Sequence, residues 1–86
     1  MIFNNKRSES EVIYDLLFSA QEDIKKTRLM YKANMKYTQF TKYLDALIEK
    51  NLLGEKYSNP HGKIYYTTDK GKELLVSLNT VLTYLK

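Results

Sequence analysis

Val12, Ile13, Leu16, Leu17 and Ala20 recur at helical spacing on one face, with Asp15 and Ser19 off it. Just upstream, Ser8-Glu9-Ser10-Glu11 has the S-x-x-E spacing of a capping box. In that motif the serine oxygen accepts from a first-turn amide while the glutamate reaches back to the cap. A first helix is therefore predicted over 9–20, preceded by a loosely ordered tail over 1–7. Gln21 to Lys25 reads as a polar connector, docked by Ile24 alone. A short second helix is predicted over 26–33. Asn34, one of the few non-glycine residues that tolerate left-handed angles, suits the sharp turn after it, with Met35 plugging that turn into the core. The helical period resumes over 37–50, where Phe40, Tyr43, Leu44, Leu47 and Ile48 form one stripe. Thr38, Gln39, Lys42, Asp45 and Glu49 lie opposite, and Asn51 suits the helix end.

The pattern then changes. Two β-prone runs, 52–57 and 63–67, flank Ser58-Asn59-Pro60-His61-Gly62, a strong turn signal, so a hairpin with a five-residue tip is predicted. Ile64, Tyr65 and Tyr66 are all acceptable inward residues, and the alternation does not choose among them. Thr68 is a good N-cap for a last helix, with Asp69 favourably placed in its first turn. That helix carries Leu74, Leu75, Leu78, Val81, Leu82 and Leu85. The expected fold is mainly α with a small β-hairpin: helix, helix, turn, helix, hairpin, helix. It divides into a domain over 8–73 and a C-terminal helix over 68–86.

A chain of 86 residues makes one domain with a single core. Its 43% hydrophobic and 28% charged residues are ordinary globular composition. The absence of cysteine excludes disulfides and thiolate metal sites and fits a reducing compartment; one histidine cannot build a histidine metal site. Apolar stretches fall far short of the roughly 20 residues a membrane span needs. Met1-Ile2-Phe3-Asn4-Asn5-Lys6-Arg7 has no apolar run of the signal-peptide kind. A soluble, cytoplasmic protein is expected, with no membrane partner, metal or cofactor.

Charge sharpens the picture through its placement. Of 14 basic and 10 acidic residues, six basic and no acidic ones fall between Ile24 and Leu44, leaving eight basic against ten acidic elsewhere. Segregated positive charge marks a surface suited to a polyanion, although a solvated charged face has the same composition. The basic run coincides with the short helix, the turn and the start of the next helix. Those are the parts of a helix-turn-helix that border duplex DNA, with the hairpin as a wing. Topology and charge placement agree.

The run Lys26-Thr27-Arg28-Leu29-Met30-Tyr31-Lys32-Ala33-Asn34-Met35 resembles the second helix and turn of an archaeal winged-helix family. Its best-known members are small basic chromatin proteins that dimerise through a C-terminal antiparallel coiled coil. Tyr43-Leu44, Leu47 and Leu52-Leu53 are similar to that family's reading helix and first wing strand. Tyr65, Thr68, Lys70 and Gly71 are similar to its closing Y-x-x-T-x-K-G motif. The resemblance implies a winged helix binding duplex DNA, in transcriptional regulation or chromosome organisation at the nucleoid. Three positions depart from the pattern. Lys36 replaces the usual capping serine, Asn51 replaces glycine, and the last helix is shorter than in the chromatin proteins.

On these grounds Thr38, Gln39 and Lys42 are the candidate base readers. Gln39 suits adenine, Lys42 guanine or a phosphate, and Thr38 a thymine methyl or a phosphate. Tyr37, at the stripe's edge, is either a helix-start core residue or a DNA contact. Lys26, Arg28, Lys32 and Lys36 are candidate phosphate anchors, and Lys56, His61 and Lys63 border the wing tip. Tyr14, Tyr31, Tyr43 and Tyr65 fall at positions that can serve the core. Leu75, Leu78, Val81, Leu82 and Leu85 fit a dimerisation seam, since a winged domain covers only the first turns of its last helix. The alternative is that this helix folds back along the first one. No nucleophile–base pair or glycine-rich phosphate loop exists, so no catalytic residue is assigned. Three roles remain: a dimeric sequence-specific regulator, an architectural protein of low specificity, and a winged helix that binds protein.

Overall fold

The computed structural model describes residues 7–85. Its elements run α1 (Glu9–Ser19), β1 (Ile24–Lys25), α2 (Lys26–Lys32), α3 (Tyr37–Glu49), β2 (Leu53–Ser58), β3 (Gly62–Thr67) and α4 (Asp69–Leu85). The order and boundaries follow the predicted ones closely, with one addition. The 21–25 connector contains strand β1, which pairs antiparallel with β3 through Ile24↔Tyr65 and Lys25↔Ile64 and makes a three-stranded sheet ordered β1-β3-β2. Two residues are too few for a sequence pattern to show.

Each junction has a local cause. Ser8 opens α1 with both halves of a capping box: the Glu11 amide donates to Ser8 Oγ at 3.2 Å, and the Ser8 amide to Glu11 Oε1 at 3.0 Å. Helices α2 and α3 close in the same way. Asn34 (φ 54°) and Asn51 (φ 61°) take left-handed angles. The amides of Asn34 and Met35 donate back to Tyr31 and Met30, and those of Asn51 and Leu52 to Ile48 and Leu47. Both are Schellman closures, with Met35 and Leu52 as the hydrophobic residues that follow. Most of the predicted 1–7 tail lies outside the described residues, but Arg7 is not loose. Its guanidinium donates to Asp15 Oδ2 at 2.6 Å and to the Asn34 carbonyl at 3.1 Å, joining α1 to the turn before α3.

Phe40, Leu16, Leu17, Leu29, Leu44 and Leu53 are the largest fully buried side chains, so α1, α2, α3 and the sheet share one core. Each such side chain contributes about 1.5–3 kcal/mol by leaving water. Of the three candidate inward residues of β3, Tyr65 joins the core cluster, Ile64 is buried on the opposite face and Tyr66 is half-buried, while Tyr14 and Tyr43 pack at the core's edge. Tyr31, expected in the core, is 80% exposed, because Leu29 and Ala33 already fill the buried face of a seven-residue helix.

The closing motif fastens the hairpin to three helices. Buried Thr67 donates its hydroxyl to the Leu17 carbonyl at 2.6 Å and its amide to the Ala20 carbonyl at 2.8 Å, holding the end of α1. Thr68 Oγ1 donates to the Asn51 carbonyl at 2.6 Å and accepts from the Gly71 amide at 3.0 Å, closing α3 and capping α4. Lys70 Nζ donates to the Lys50 carbonyl at 3.1 Å. Gly71 is buried with α4 lying so close to the α3–β2 link and the end of β3 that an added Cβ would collide with the Leu52 carbonyl oxygen and the Thr67 methyl. Gly71→Ala should therefore destabilise the fold by about 1–3 kcal/mol, although alanine is the better helix former. Urea denaturation is the check; a neutral or stabilising result would mean α4 is not wedged against Leu52 and Thr67 as described.

Candidate nucleic-acid interface

Helix α3 is divided cleanly. Phe40, Leu44 and Leu47 are buried, while Thr38, Gln39 and Lys42 are exposed on the opposite face within the first two turns. Thr38 and Lys42, four apart, stand in line along the helix, with Gln39 beside them. Lys36 is the N-cap and makes no side-chain cap hydrogen bond, so the helix starts with an uncapped positive end beside a lysine. Tyr37 is 62% exposed, and Lys26 Nζ lies 5.6 Å from its ring centroid. That places Tyr37 outside the core and brings α2's first residue to the start of α3.

The register of the wing separates residues that the sequence reading grouped together. Lys56 is paired with Ile64 and Gly54 with Tyr66 on one face, while Leu53↔Thr67, Glu55↔Tyr65 and Tyr57↔Lys63 form the other. The second face continues from the core, since Leu53, Tyr65 and Thr67 are buried. Lys56 therefore points away from Lys63 and is held on the far face. It pairs with Asp23 Oδ2 at 3.2 Å and lies 5.2 Å from the Tyr66 ring centroid. The tip is also shorter than expected, because Ser58 and Gly62 pair within the strands; Gly62 turns at φ 80° and the Asn59–Pro60 bond is cis.

Lys63 joins α2 instead. It lines an open depression with Lys25, Lys26, Thr27, Arg28 and Tyr31. Its ammonium also sits 3.2 Å from Glu55 Oε2, and that hydrogen bond holds the lysine above its ordinary pKa. Arg28 and Lys32, one turn apart, line a second cleft with His61, Ser58, Glu22 and Asp23 between α2, the wing tip and the end of α1. The predicted phosphate anchors thus divide: Lys26 lines the first depression with the wing residue Lys63, Arg28 lines both, Lys32 lines the second with His61, and Lys36 stands at the start of α3. Lys25, Tyr31 and Tyr57 were absent from the candidate set. The period-2 register of the hairpin would have put Tyr57 beside Lys63; the depression depends on β1, which no sequence signal announced.

The candidate dimer seam also divides. Leu75 is only 7% exposed and belongs to the chain's own core, so it is removed from the seam. Leu78 packs against that core while half-buried, as α4 lies along α1. Further on, Val81 and Leu85 are 49% and 52% exposed beside half-buried Leu82. The fold-back alternative thus holds for the first turns of α4 only. Among the described residues no helix is long and apolar enough to cross a membrane, and no three His, Asp or Glu side chains cluster to hold a metal ion.

Comparison with known proteins gives a consistent result. A winged helix-turn-helix family model matches residues 6–86. An uncharacterised protein of Methanocaldococcus jannaschii is 36% identical over 74 residues, covering 85% of this chain and 71% of that protein. Among solved structures, Sso10a-2, a DNA-binding protein from Sulfolobus solfataricus, superposes with a TM-score of 0.81 at 32% identity, covering 91% of this chain and 81% of that one. The transcriptional regulator BldR from the same organism shares the fold, with a TM-score of 0.77 at 22% identity over 86% of this chain and 55% of its own. This chain belongs to the winged helix-turn-helix family.

Proposed function

Taking a winged helix-turn-helix chain as the premise, we propose that it binds duplex DNA as a homodimeric transcriptional regulator, in the cytoplasm and on the nucleoid. The observation that carries this reading is the division of α3, whose inward face is core and whose outward face presents Thr38, Gln39 and Lys42, with its first residue Tyr37 against Lys26 of the basic depression. In the major groove Gln39 would pair bidentately with adenine, Lys42 would reach guanine or a phosphate, and Thr38 a thymine methyl or a phosphate. Lys26, Arg28, Lys32 and Lys36, with Tyr37 beside them, would fix the register on the phosphates, and Lys63 and His61 would bring the wing to the backbone. Lys56, tied to Asp23 on the far face, is the weakest of the wing candidates. The likeness to a protein described as DNA-binding supports the ligand class. The regulator reading rests on the polar, not lysine-rich, composition of the α3 face, since a pure backbone binder has no use for glutamine and threonine there.

Two experiments test it. Gln39→Ala should cost about 1–3 kcal/mol on an enriched site and much less on random duplex, measured at several salt concentrations. Equal losses on both would make Gln39 a backbone contact and favour an architectural role. The dimer would form through the exposed end of α4, where Val81, Leu82 and Leu85, each already about half buried, would gain about half of the 1.5–3 kcal/mol that full burial of such a side chain brings. Light scattering at micromolar concentration should give about twice the 10.2 kDa chain mass, and Val81→Glu with Leu85→Glu should give monomers that bind DNA much more weakly. A monomeric unmodified protein would refute the dimer.

A further inference from the structure

Four cations, Lys25, Lys26, Arg28 and Lys63, line the depression between α2 and the wing, and no carboxylate does. Tyr31, 80% exposed, forms part of its wall. Glu22 and Asp23 line the neighbouring cleft with Lys25 and Arg28 but form no described ion pair with them. One acid is ion-paired with the group: Glu55, adjacent to Lys63 on the same face of the hairpin, holds its ammonium at 3.2 Å. The two side chains are 42% and 38% exposed, so the pair sits at the surface in high dielectric and is easily exchanged. Among the described residues Lys63 is thus the one cation of the depression in an ion pair, while Arg28, Lys25 and Lys26 form none.

We propose that this depression seats a phosphate of the DNA backbone, and that Glu55 occupies Lys63 as an internal substitute for it until duplex DNA takes its place. The inference rests on the DNA-binding reading and adds to it a residue with a role opposite to the anchors. A carboxylate and a phosphodiester oxygen compete for the same donor, as both are anionic acceptors of the ammonium N–H. Binding through Lys63 first breaks the Glu55 pair and then leaves that carboxylate close to the phosphate. Both effects weaken the wing's hold on arbitrary DNA. Lys26, Arg28 and Lys25 are held in no described ion pair, so they supply attraction at once while the wing engages only on a well-seated duplex. The chain thereby limits its own affinity for non-specific DNA.

The test is a double-mutant cycle on a fluorescently labelled random duplex, followed by anisotropy across a salt series. Glu55→Gln should bind about three- to tenfold more tightly at low salt, with a log K against log salt slope steeper by roughly 0.9, the equivalent of one more phosphate contact. In a Lys63→Gln background the same Glu55→Gln change should have much less effect, since the lysine it frees is gone. Equal tightening in both backgrounds would reduce Glu55 to a repulsive bystander and overturn the proposal. Weaker binding by Glu55→Gln would overturn it too, by making Glu55 a DNA contact. The unmodified protein separates the two levels: if it binds no duplex at low salt, the DNA reading itself fails. If it binds and Glu55→Gln changes nothing, only the competition with Glu55 fails.

Discussion

One hydroxyl, that of Thr68, holds two helices at once. By donating to the Asn51 carbonyl it completes the end of α3, and by accepting from the Gly71 amide it starts α4. Thr67, immediately before it, ties the same stretch to the end of α1, and Lys70 reaches the last carbonyls of α3. Four residues within five successive positions, Thr67, Thr68, Lys70 and Gly71, therefore fix the reading helix, the wing and the terminal helix relative to the first helix. A hydrogen bond of this kind is worth about 0.5–1.5 kcal/mol net, but a buried carbonyl left without its donor costs about 1–3 kcal/mol. The junction is accordingly a constraint on geometry more than a reservoir of stability. It fixes the wing against the end of α3, while Lys26 over the Tyr37 ring joins the basic depression to the start of that helix.

Most of this frame was legible in the chain. The capping box at Ser8, the two asparagine turns and the Thr68 cap each depend on side chains acting within a few residues of their own backbone, and local chemistry is what a sequence displays. The errors have a common origin in long-range placement. Strand β1 is two residues long and exists only because β3 is there to pair with it. Tyr31 has the hydrophobic bulk of a core residue, yet on so short a helix Leu29 and Ala33 leave it no buried position. Leu75 falls in the same heptad pattern as Leu82 and Leu85, and periodicity cannot tell which leucines the chain covers itself. Lys56 and Lys63 look alike in sequence and lie on opposite faces because the register of the hairpin puts them there.

The site was less legible than the fold for the same reason. Basic residues clustered between Ile24 and Leu44 announced a polyanion surface, but not how it would be partitioned. In the folded chain Lys26 turns to Tyr37, Lys56 to Asp23 and Lys63 to Glu55. The positive field is thus concentrated where α2 meets the wing, and carboxylates trim it at the wing itself. Charge segregation in the sequence sets the sign of the field; the sheet register decides where it is strong.

The central claim is that the outward face of α3 and the adjoining depression together face duplex DNA. Titration of isotopically labelled protein with a short duplex, followed by NMR, tests that placement directly. The account expects the largest salt-sensitive shift changes at Lys26, Arg28, Thr38, Gln39, Lys42 and Lys63, with the core of α1 and the Lys56 face little affected. Changes confined to α4, or none at low salt, would contradict it.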